Sequence, residues 1–272
     1  GASTVSGTLG ITSAGAVTDS GTLAITGATT ISASGQDITL DEAASTFGTL
    51  ALTGANVAVT DAGATDLGAS TVSGTLGITS AGAVTDSGTL AITGVTTISA
   101  SGQDITLDEA ASTFGTLALT GANVAVTDAG ATDLGASTVS GTLGITSSGA
   151  VTDSGTLAIT GATAISASGQ DITLDEAVST FGTLSLTGAN VAVTDAGATD
   201  LGASTVSGTL GITSGGAITD SGTLAITGAA TFDNSGGTND AITLDDSSNS
   251  FNGSVTFTTD SGSAVTIVDT TA

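Results

Sequence analysis

Aliphatic and polar residues alternate with a period of two along most of the chain. In Thr22–Thr26, Leu23 and Ile25 lie on one side of the segment, and the segments 49–53 and 75–79 repeat this arrangement. The segment 37–41 follows the same rule with an acid at each end. A period of two is typical of a half-buried β-strand, so Leu and Ile are predicted to face inward and Thr and Asp outward. Proline is absent and no helical period occurs, so the sequence predicts an all-β fold.

The strand pattern lies within a longer repeat. The block GASTVSG begins at residues 1, 68, 135 and 202, which is a spacing of 67 residues. Copy two differs from copy one only by Val95 in place of Ala28. A fixed period of this kind is typical of a solenoid. We therefore expect a single repeat array over residues 1–272, with units 1–67, 68–134, 135–201 and 202–272, as a fragment of a longer fibre.

Each unit divides into three predicted turns of a parallel β-helix (β-solenoid). The turns are placed at residues 16–36, 37–56 and 57–82, because each begins with a short strand that ends in an acid. Three apolar segments per turn predict three strands per turn and about twelve turns in all. The third turn is the longest, and Ser70–Ser73 is predicted to form a protrusion or an extra strand there. Phe47, Phe114 and Phe181 are predicted to fill the narrow core.

The composition excludes several classes of function. The chain has 25 Asp and Glu and no Lys, Arg or His, which gives a formal charge of -25. Nucleic-acid binding is excluded, because phosphate contacts need basic side chains. Regular Val, Leu and Ile positions argue against a disordered acidic tail. No run of apolar residues is long enough for a membrane helix, so no membrane insertion is expected. The absence of cysteine excludes disulfides.

Two strings in the sequence resemble a known family. The strings DITLDEAASTFGTLALTGANVAVTDAGATDLGASTVSGTLGIT and AGAVTDSGTLAIT are similar to repeats of filamentous-haemagglutinin-like adhesins, the two-partner secretion exoproteins of Gram-negative bacteria. The resemblance covers essentially the whole chain. It implies a right-handed parallel β-helix that forms the shaft of a cell-surface or released fibre, located extracellularly or on the Gram-negative outer surface.

The residues needed for most catalysis are missing. Without His, Cys, Lys or Arg, the chain has no nucleophile–base pair and no cationic oxyanion stabiliser. Carboxylates alone can hydrolyse glycosides. However, every carboxylate of copy one recurs in copies two and three, and an active site has no reason to be triplicated. We therefore expect no enzyme activity and no cofactor, apart from weakly held Ca²⁺.

An acid at the end of each opening strand is the remaining candidate for chemistry. We call this series the acid ladder, with Asp41 as an alternative to Glu42. Its members are Asp19, Glu42, Asp61, Asp86, Glu109, Asp128, Asp153, Glu176, Asp195, Asp220, Asp246 and Asp269. One interpretation is turn chemistry, in which Asp accepts backbone N–H bonds. The other is divalent-cation binding, because carboxylates stacked about 4.8 Å apart would repel one another and calcium would relieve that repulsion.

The function that these patterns favour is a structural shaft segment of an extracellular fibre, from a bacterial adhesin. Its expected partners are further repeats of the same chain or identical subunits, and a host-cell or glycan receptor outside this segment. One alternative is a self-assembling surface filament or surface-layer subunit. Another is a Thr-rich solenoid that binds ice or polysaccharide, against which the uneven predicted turns of 21, 20 and 26 residues argue.

Overall fold

The computed structural model describes residues 1–271 and divides the chain into two compact units, Gly1–Thr132 and Asp133–Ala272. Each unit is a parallel β-solenoid, and no helix occurs in the described part of the chain. The strands that begin in the first unit are β1 Ser3–Val5, β2 Leu9–Thr12, β3 Val17–Thr18, β4 Leu23–Ile25, β5 Thr29–Ser32, β6 Ile38–Leu40, β7 Thr49–Gly54, β8 Val57–Asp61, β9 Thr65–Leu67, β10 Ser70–Val72, β11 Leu76–Ser80, β12 Val84–Asp86, β13 Leu90–Ile92, β14 Thr96–Ser99, β15 Ile105–Leu107, β16 Thr116–Gly121, β17 Val124–Asp128 and β18 Thr132–Leu134.

The strands of the second unit follow the same order with longer connections near the end. They are β19 Ser137–Val139, β20 Leu143–Ser147, β21 Val151–Asp153, β22 Leu157–Ile159, β23 Thr163–Ser166, β24 Ile172–Leu174, β25 Thr183–Gly188, β26 Val191–Asp195, β27 Thr199–Leu201, β28 Ser204–Val206, β29 Leu210–Ser214, β30 Ile218–Asp220, β31 Leu224–Ile226, β32 Ala230–Asp233, β33 Ile242–Leu244, β34 Ser250–Phe251, β35 Val255–Thr258 and β36 Val265–Ile267.

Each turn of a unit contributes three strands, and each strand pairs in parallel with the strand one turn later. In the first unit β2 pairs with β5 and β5 with β7. On a second face β3 pairs with β6, β6 with β8, β8 with β11, and β11 with β14. The third face begins with β1 on β4, followed by a single bridge from Ala24 to Thr46. The predicted three-strand turn is confirmed, and 36 strands with three bridges make about 13 turns.

The repeat is longer than a whole number of turns, which the sequence interpretation did not anticipate. Copy one holds ten strand segments, β1 to β9 and the bridge at Thr46. With three segments per turn, one copy therefore makes three turns and one third. As a result β2 and its copy-two counterpart β11 lie on different faces, since β2 stacks on β5 whereas β11 stacks between β8 and β14. In the second unit β20 and β29 differ in the same way.

The predicted turn boundaries at 57–82 are wrong for this reason. Of the two alternatives predicted for Ser70–Ser73, the extra strand is confirmed, because Ser70–Val72 forms β10. The residues assigned to one long turn therefore belong to parts of two. Partners in the first unit are 17 to 22 residues apart, from Thr49 with Asp66 to Ala24 with Thr46. The six-residue strand β7 turns a corner, because its start pairs with β9 and its end with β10.

The aliphatic side chains fill a narrow interior, as the alternation predicts. Leu52, Ile78 and Leu90 are at most 2% exposed. Phe47, Phe114 and Phe181 are each 7% exposed, which confirms that they are core residues. The differences between the first three copies all lie at positions that are not buried, as at Val95 and Val178. The sequences of the first three copies therefore differ only at side chains that are not buried between turns.

Glycine occupies corners where successive turns touch. A Cβ on Gly27 would lie 2.6 Å from the carbonyl oxygen of Gly7, and one on Gly48 would lie 2.6 Å from that of Gly27. In copy two, Gly94 would make the same contact at 2.5 Å with Gly74. No real Cβ fits at these distances, so only glycine allows the backbones of neighbouring turns to approach so closely.

The fourth copy has an aromatic core. Phe232 and Phe257 take the register positions that Ile31 and Leu52 hold in copy one. Phe232 and Phe257 stack with ring centroids 5.7 Å apart, and Phe251 meets Phe232 edge-on at 6.2 Å. Such pairs contribute more than the burial of their area alone.

Candidate functional site: the acidic corners

The members of the acid ladder do not form one column. Asp61 lies opposite Ser80 of the next turn, and Asp86 lies opposite Leu67 of the preceding turn. In the second unit Asp195 lies opposite Ser214. Because a copy ends one third of a turn out of phase, equivalent acids on successive copies within a unit fall on different faces. The expected stack of carboxylates about 4.8 Å apart is therefore wrong at Asp61 and Asp195, which each face a serine.

Asp61 is the centre of a buried corner that links three turns. Its Oδ1 accepts a hydrogen bond from the Gly63 N–H at 2.9 Å, and its Oδ2 accepts one from the Thr65 hydroxyl at 3.2 Å. The carboxylate also accepts the N–H of Phe47 from the preceding turn. Thr65 Oγ1 lies 3.0 Å from the hydroxyl of Ser80 in the next turn. We call this arrangement the buried acidic corner.

The buried acidic corner recurs at the equivalent positions of later copies. Asp128 accepts the N–H groups of Gly130 and Phe114, and Asp195 accepts those of Gly197 and Phe181. Asp61, Asp128 and Asp195 are each 1% exposed. The bond from residue i to the N–H of residue i+2 is an Asx turn, so the turn-chemistry interpretation is confirmed for these three acids.

Burial and hydrogen bonding act in opposite directions on these carboxyls. Burial raises the pKa of Asp61, Asp128 and Asp195, and the N–H and hydroxyl donors offset part of that effect. Asp269 has the corresponding donors, the N–H groups of Phe251 and Thr271, but it is much less buried than Asp61. There the donors, led by Thr271, lower the pKa. Repulsion between stacked carboxylates would raise the pKa of every acid of the ladder, and the lowered pKa of Asp269 contradicts that prediction at this position.

Asp86 forms a second kind of corner, which we call the bridging acidic corner. Its Oδ1 accepts the N–H of Asp108 at 2.9 Å, and its Oδ2 accepts that of Glu109 at 3.4 Å, both from the next turn. Burial is the largest cause of its raised pKa, and the charges of Asp108 and Glu109 raise the pKa further. Asp86, Asp108 and Glu109 therefore lie near one another, because the Asp86 carboxylate accepts the backbone N–H groups of the other two.

The four remaining aspartates with residue numbers below 269 in the ladder follow these two patterns. Asp19, Asp153 and Asp220 are bridging corners, which accept the N–H groups of residues 41, 175 with 176, and 245 with 246. Burial also raises the pKa of Asp153. Asp246 makes an Asx turn to Ser248. The side chains of Glu42, Glu109 and Glu176 are half-buried.

Two series of acids that the sequence interpretation missed carry further bonds between turns. Asp37 accepts the N–H and the side-chain amide of Asn56, whose Oδ1 in turn accepts the N–H of Thr75. Asp66 accepts the hydroxyl of Thr49 at 2.7 Å and that of Ser87 at 2.9 Å. Their spacing was visible in the sequence, since 17 to 21 residues is about one turn. The signal was overlooked because these acids do not end an opening strand of the predicted turns.

The carboxylates at the corners therefore have hydrogen-bond donors and do not need cations to be stabilised. Each aspartate carboxylate of the two kinds of corner, and those of Asp37 and Asp66, faces backbone N–H groups, hydroxyls or an amide from its own or neighbouring turns. Hydrogen bonds to a charged acceptor contribute about 1.5–3 kcal/mol each when they are well formed. Within residues 1–271 no three Asp or Glu side chains converge as a metal-binding group. Divalent binding at the ladder remains a prediction.

The fold and these corners define a repeat protein of the parallel β-solenoid class. A family described as repeats of unknown function (DUF5649) matches residues 1–53, 54–120, 121–187 and 188–258, and the chain belongs to this family. The two internal matches span one 67-residue period each, in a different phase from the copies defined above. No curated protein and no solved structure matches the chain. None of the described residues belongs to a helix that is long and apolar enough to span a membrane.

Proposed function

We propose that the chain is a structural shaft segment of an extracellular or cell-surface fibre, of the kind that bacterial adhesins use, and that it has no catalytic activity. The solenoid is right-handed in this proposal. The observation that carries it is the parallel pairing within each unit, in which each internal turn pairs with the turns before and after it. Stability that depends on neighbouring turns suits a long spacer.

The side chains also support a spacer. The carboxylates at the corners accept hydrogen bonds from neighbouring turns. The outward positions carry mainly Thr, Ser, Ala and Gly. Such a surface is polar and unspecialised, and a charge of -25 keeps fibres apart from one another and from other anionic surfaces. Receptor binding then falls to a part of the protein outside this segment.

The location of the chain tests the proposal directly. Antibodies raised against the 272-residue chain should label intact, unpermeabilised cells of the organism that encodes it, and electron microscopy should place the label along filaments. An antibody against a cytoplasmic protein serves as the control for cell integrity. Label that enters only after lysis would contradict the proposal.

A second candidate is favoured by one correction to the sequence interpretation. Uneven turns argued against a Thr-rich face that binds ice or polysaccharide, but the turns of the first unit stack in regular register. Thr60, Thr79, Ser99 and Thr120 form a row of hydroxyl residues on one face, one per turn. An ice-recrystallisation assay tests this candidate, with a Thr79→Asp variant as its control. Activity that the variant loses would favour it over a passive shaft.

A further inference from the structure

One turn of copy one is bonded through side chains to both of its neighbours. This central turn contains β8, β9 and β10. Asn56, at its start, donates its N–H and its side-chain amide to Asp37 of the preceding turn. Its Oδ1 accepts the N–H of Thr75 from the following turn at 3.1 Å and the hydroxyl of the same residue at 3.2 Å. We call a set of bonds that crosses three turns in this way a relay.

Two more relays are centred on the same turn. Asp66 accepts the hydroxyl of Thr49 from the preceding turn and that of Ser87 from the following turn. The buried acidic corner is the third relay, since its carboxylate and its threonine join the N–H of Phe47 to the hydroxyl of Ser80. All three relays therefore tie the same three turns together.

The three turns that the relays tie together span residues 37–92, and we call them the clamped block. Copy three contains the same block at residues 171–226. Its relay residues are Asp171 with Asn190 and Thr209, Asp200 with Thr183 and Ser221, and Asp195 with Phe181, Thr199 and Ser214. The two blocks lie in different compact units. The relays are therefore a property of the repeat and not of one place in the chain.

The interface that follows the clamped block is of another kind. Here β11 pairs with β14, and β12 pairs with β15. In the bridging acidic corner, the carboxylate of Asp86 crosses this interface and meets the backbone N–H groups of Asp108 and Glu109. The side chains of those two residues place like charges beside it. Because like charges repel, this interface, which we call the junction, is weaker than the interfaces that the relays cross.

We propose that the stack opens under tension one copy at a time. The stability of a solenoid is approximately a sum over neighbouring turns, so unequal interfaces open at unequal forces. A force that breaks a clamped block exceeds the force that the adjoining junction withstands. The block and the junction therefore open together, and opening stops at the next clamped block. The inference concerns the stack alone and does not depend on where the protein is located or on what it binds.

The gain in length identifies the unit that opens. A copy of 67 residues gains about 200–225 Å, because each extended residue adds about 3.3–3.6 Å and the stacked turns had occupied about 16 Å. A single turn of about 20 residues gains only about 60–70 Å. The two units are therefore easily distinguished by the size of a step.

Optical tweezers measure this step directly. The chain has no cysteine of its own, so one cysteine added at each terminus attaches the DNA handles. The pulled chain should lengthen in repeated steps of one copy. Steps of a single turn, or one step for the whole chain, would overturn the proposal.

A relay variant tests the cause of the steps. It changes to Ala the relay residues Asn56, Asn123, Asn190, Asp66, Asp133 and Asp200. These side chains are exposed or half-buried, and the buried acidic corners are kept, so the chain should still fold. With two relays lost from each clamped block, the copy-sized step should divide into steps of a single turn.

A charge-matched control changes Asp41, Asp108 and Asp175 to Ala. These exposed acids lie beside the bridging acidic corners, and their loss removes as many charges as the relay variant does. Circular dichroism measures the strand content of both variants before they are pulled. The control should keep the copy-sized steps. Copy-sized steps in the relay variant, or single-turn steps in the control, would contradict the proposal.

A milder variant keeps the test decisive if the relay variant loses its strands. It changes only the three exposed Asn residues, Asn56, Asn123 and Asn190, to Ala. Each copy then loses one relay, so its steps should begin at a lower force than those of the charge-matched control. Equal opening forces in these two variants would rule out the relays as the cause.

Discussion

At the scale of single residues, the chain balances burial against hydrogen bonding at each acid. Asp61 and Asp269 have the same kinds of donor, yet the pKa of Asp61 is raised and that of Asp269 is lowered, because only Asp61 is buried. A carboxylate that is buried in this way disfavours folding when it ionises, even though it links turns. The corners therefore make stability depend on pH.

We expect the free energy of unfolding to fall as the pH rises above about 4, the unfolded pKa of aspartate. The five acids with raised pKa, Asp61, Asp86, Asp128, Asp153 and Asp195, hold protons in the folded state that the unfolded state releases first. The loss is complete once the pH passes their folded pKa. Below about pH 4 the half-buried acids Asp233 and Asp269, with lowered pKa, reverse the trend. Urea unfolding across this pH range measures the effect.

The matched control for this pH dependence uses charge removal at two kinds of site. Changing Asp61, Asp128 and Asp195 together to Asn should flatten the dependence. The same change at the exposed residues Asp37, Asp104 and Asp171 removes three charges without altering a buried acid. If both triple variants flatten the curve equally, net charge and not burial is its cause.

A buried hydroxyl offers a second test at this scale. Thr96 is 0% exposed, and its Oγ1 has no hydrogen-bond partner among the described residues, as is also true of Thr29 and Thr163. Thr96→Val keeps the shape and removes the unsatisfied group, so it should raise the free energy of unfolding by about 1 kcal/mol. Thermal melts compare it with Thr97→Val, which changes the exposed neighbour and should have little effect. A lower melting temperature for Thr96→Val would mean that the hydroxyl is satisfied.

Calcium distinguishes the two interpretations of the acid ladder. If the corners bind divalent cations, millimolar calcium should raise the melting temperature more than sodium does at equal ionic strength, since oxygen ligands favour calcium. Asp128→Asn should then reduce that response. Equal effects of the two salts would leave screening and turn formation as the roles of the acids.

At the scale of strands and corners, the glycine contacts limit the distance between turns. Gly94→Ala should lower the free energy of unfolding by about 1–3 kcal/mol or more, because its Cβ would overlap the carbonyl of Gly74. Gly77→Ala is the control in the same copy, since its Cβ would lie 3.8 Å from the nearest atom, the Val57 oxygen. Denaturant melts of the two variants give the comparison. Similar losses of unfolding free energy in both variants would show that the backbone preference of glycine, and not the corner contact, is responsible.

Much of the fold at this scale was predictable, because a period of two identifies strands and their inward side. Leu52, Ile78 and Phe114 face the core as predicted. The phase of the turns was not predictable from the repeat alone. All three faces require the same alternation of apolar and small polar residues, so a copy can end on any face. The acids Asp37 and Asp66 were missed for the same reason, since their partners depend on the true turn length.

At the scale of the whole molecule, the structural unit is the turn and not the 67-residue copy. Leu76 takes the same register on Val57 that Val57 takes on Ile38. Deleting residues 57–75 should therefore join β6 to β11 in register and leave a folded solenoid that is one turn shorter. Deleting residues 57–66 shifts the register by half a turn and should abolish cooperative unfolding. Circular dichroism and thermal melts distinguish the two chains, and loss of folding in both would contradict the turn as the unit.

The extra third of a turn in each copy also limits how the chain can meet a flat target. Thr12, Ser32 and Thr53 of copy one correspond to Thr79, Ser99 and Thr120 of copy two, yet the two rows lie on different faces of the first unit. A plane such as a crystal surface or a cell wall can therefore touch only one of them at a time. Neighbouring copies cannot add their contacts on that plane, so avidity does not grow with each copy as it would for a one-sided array. The repeat is therefore poorly suited to binding one broad flat surface, which agrees with a role as a spacer.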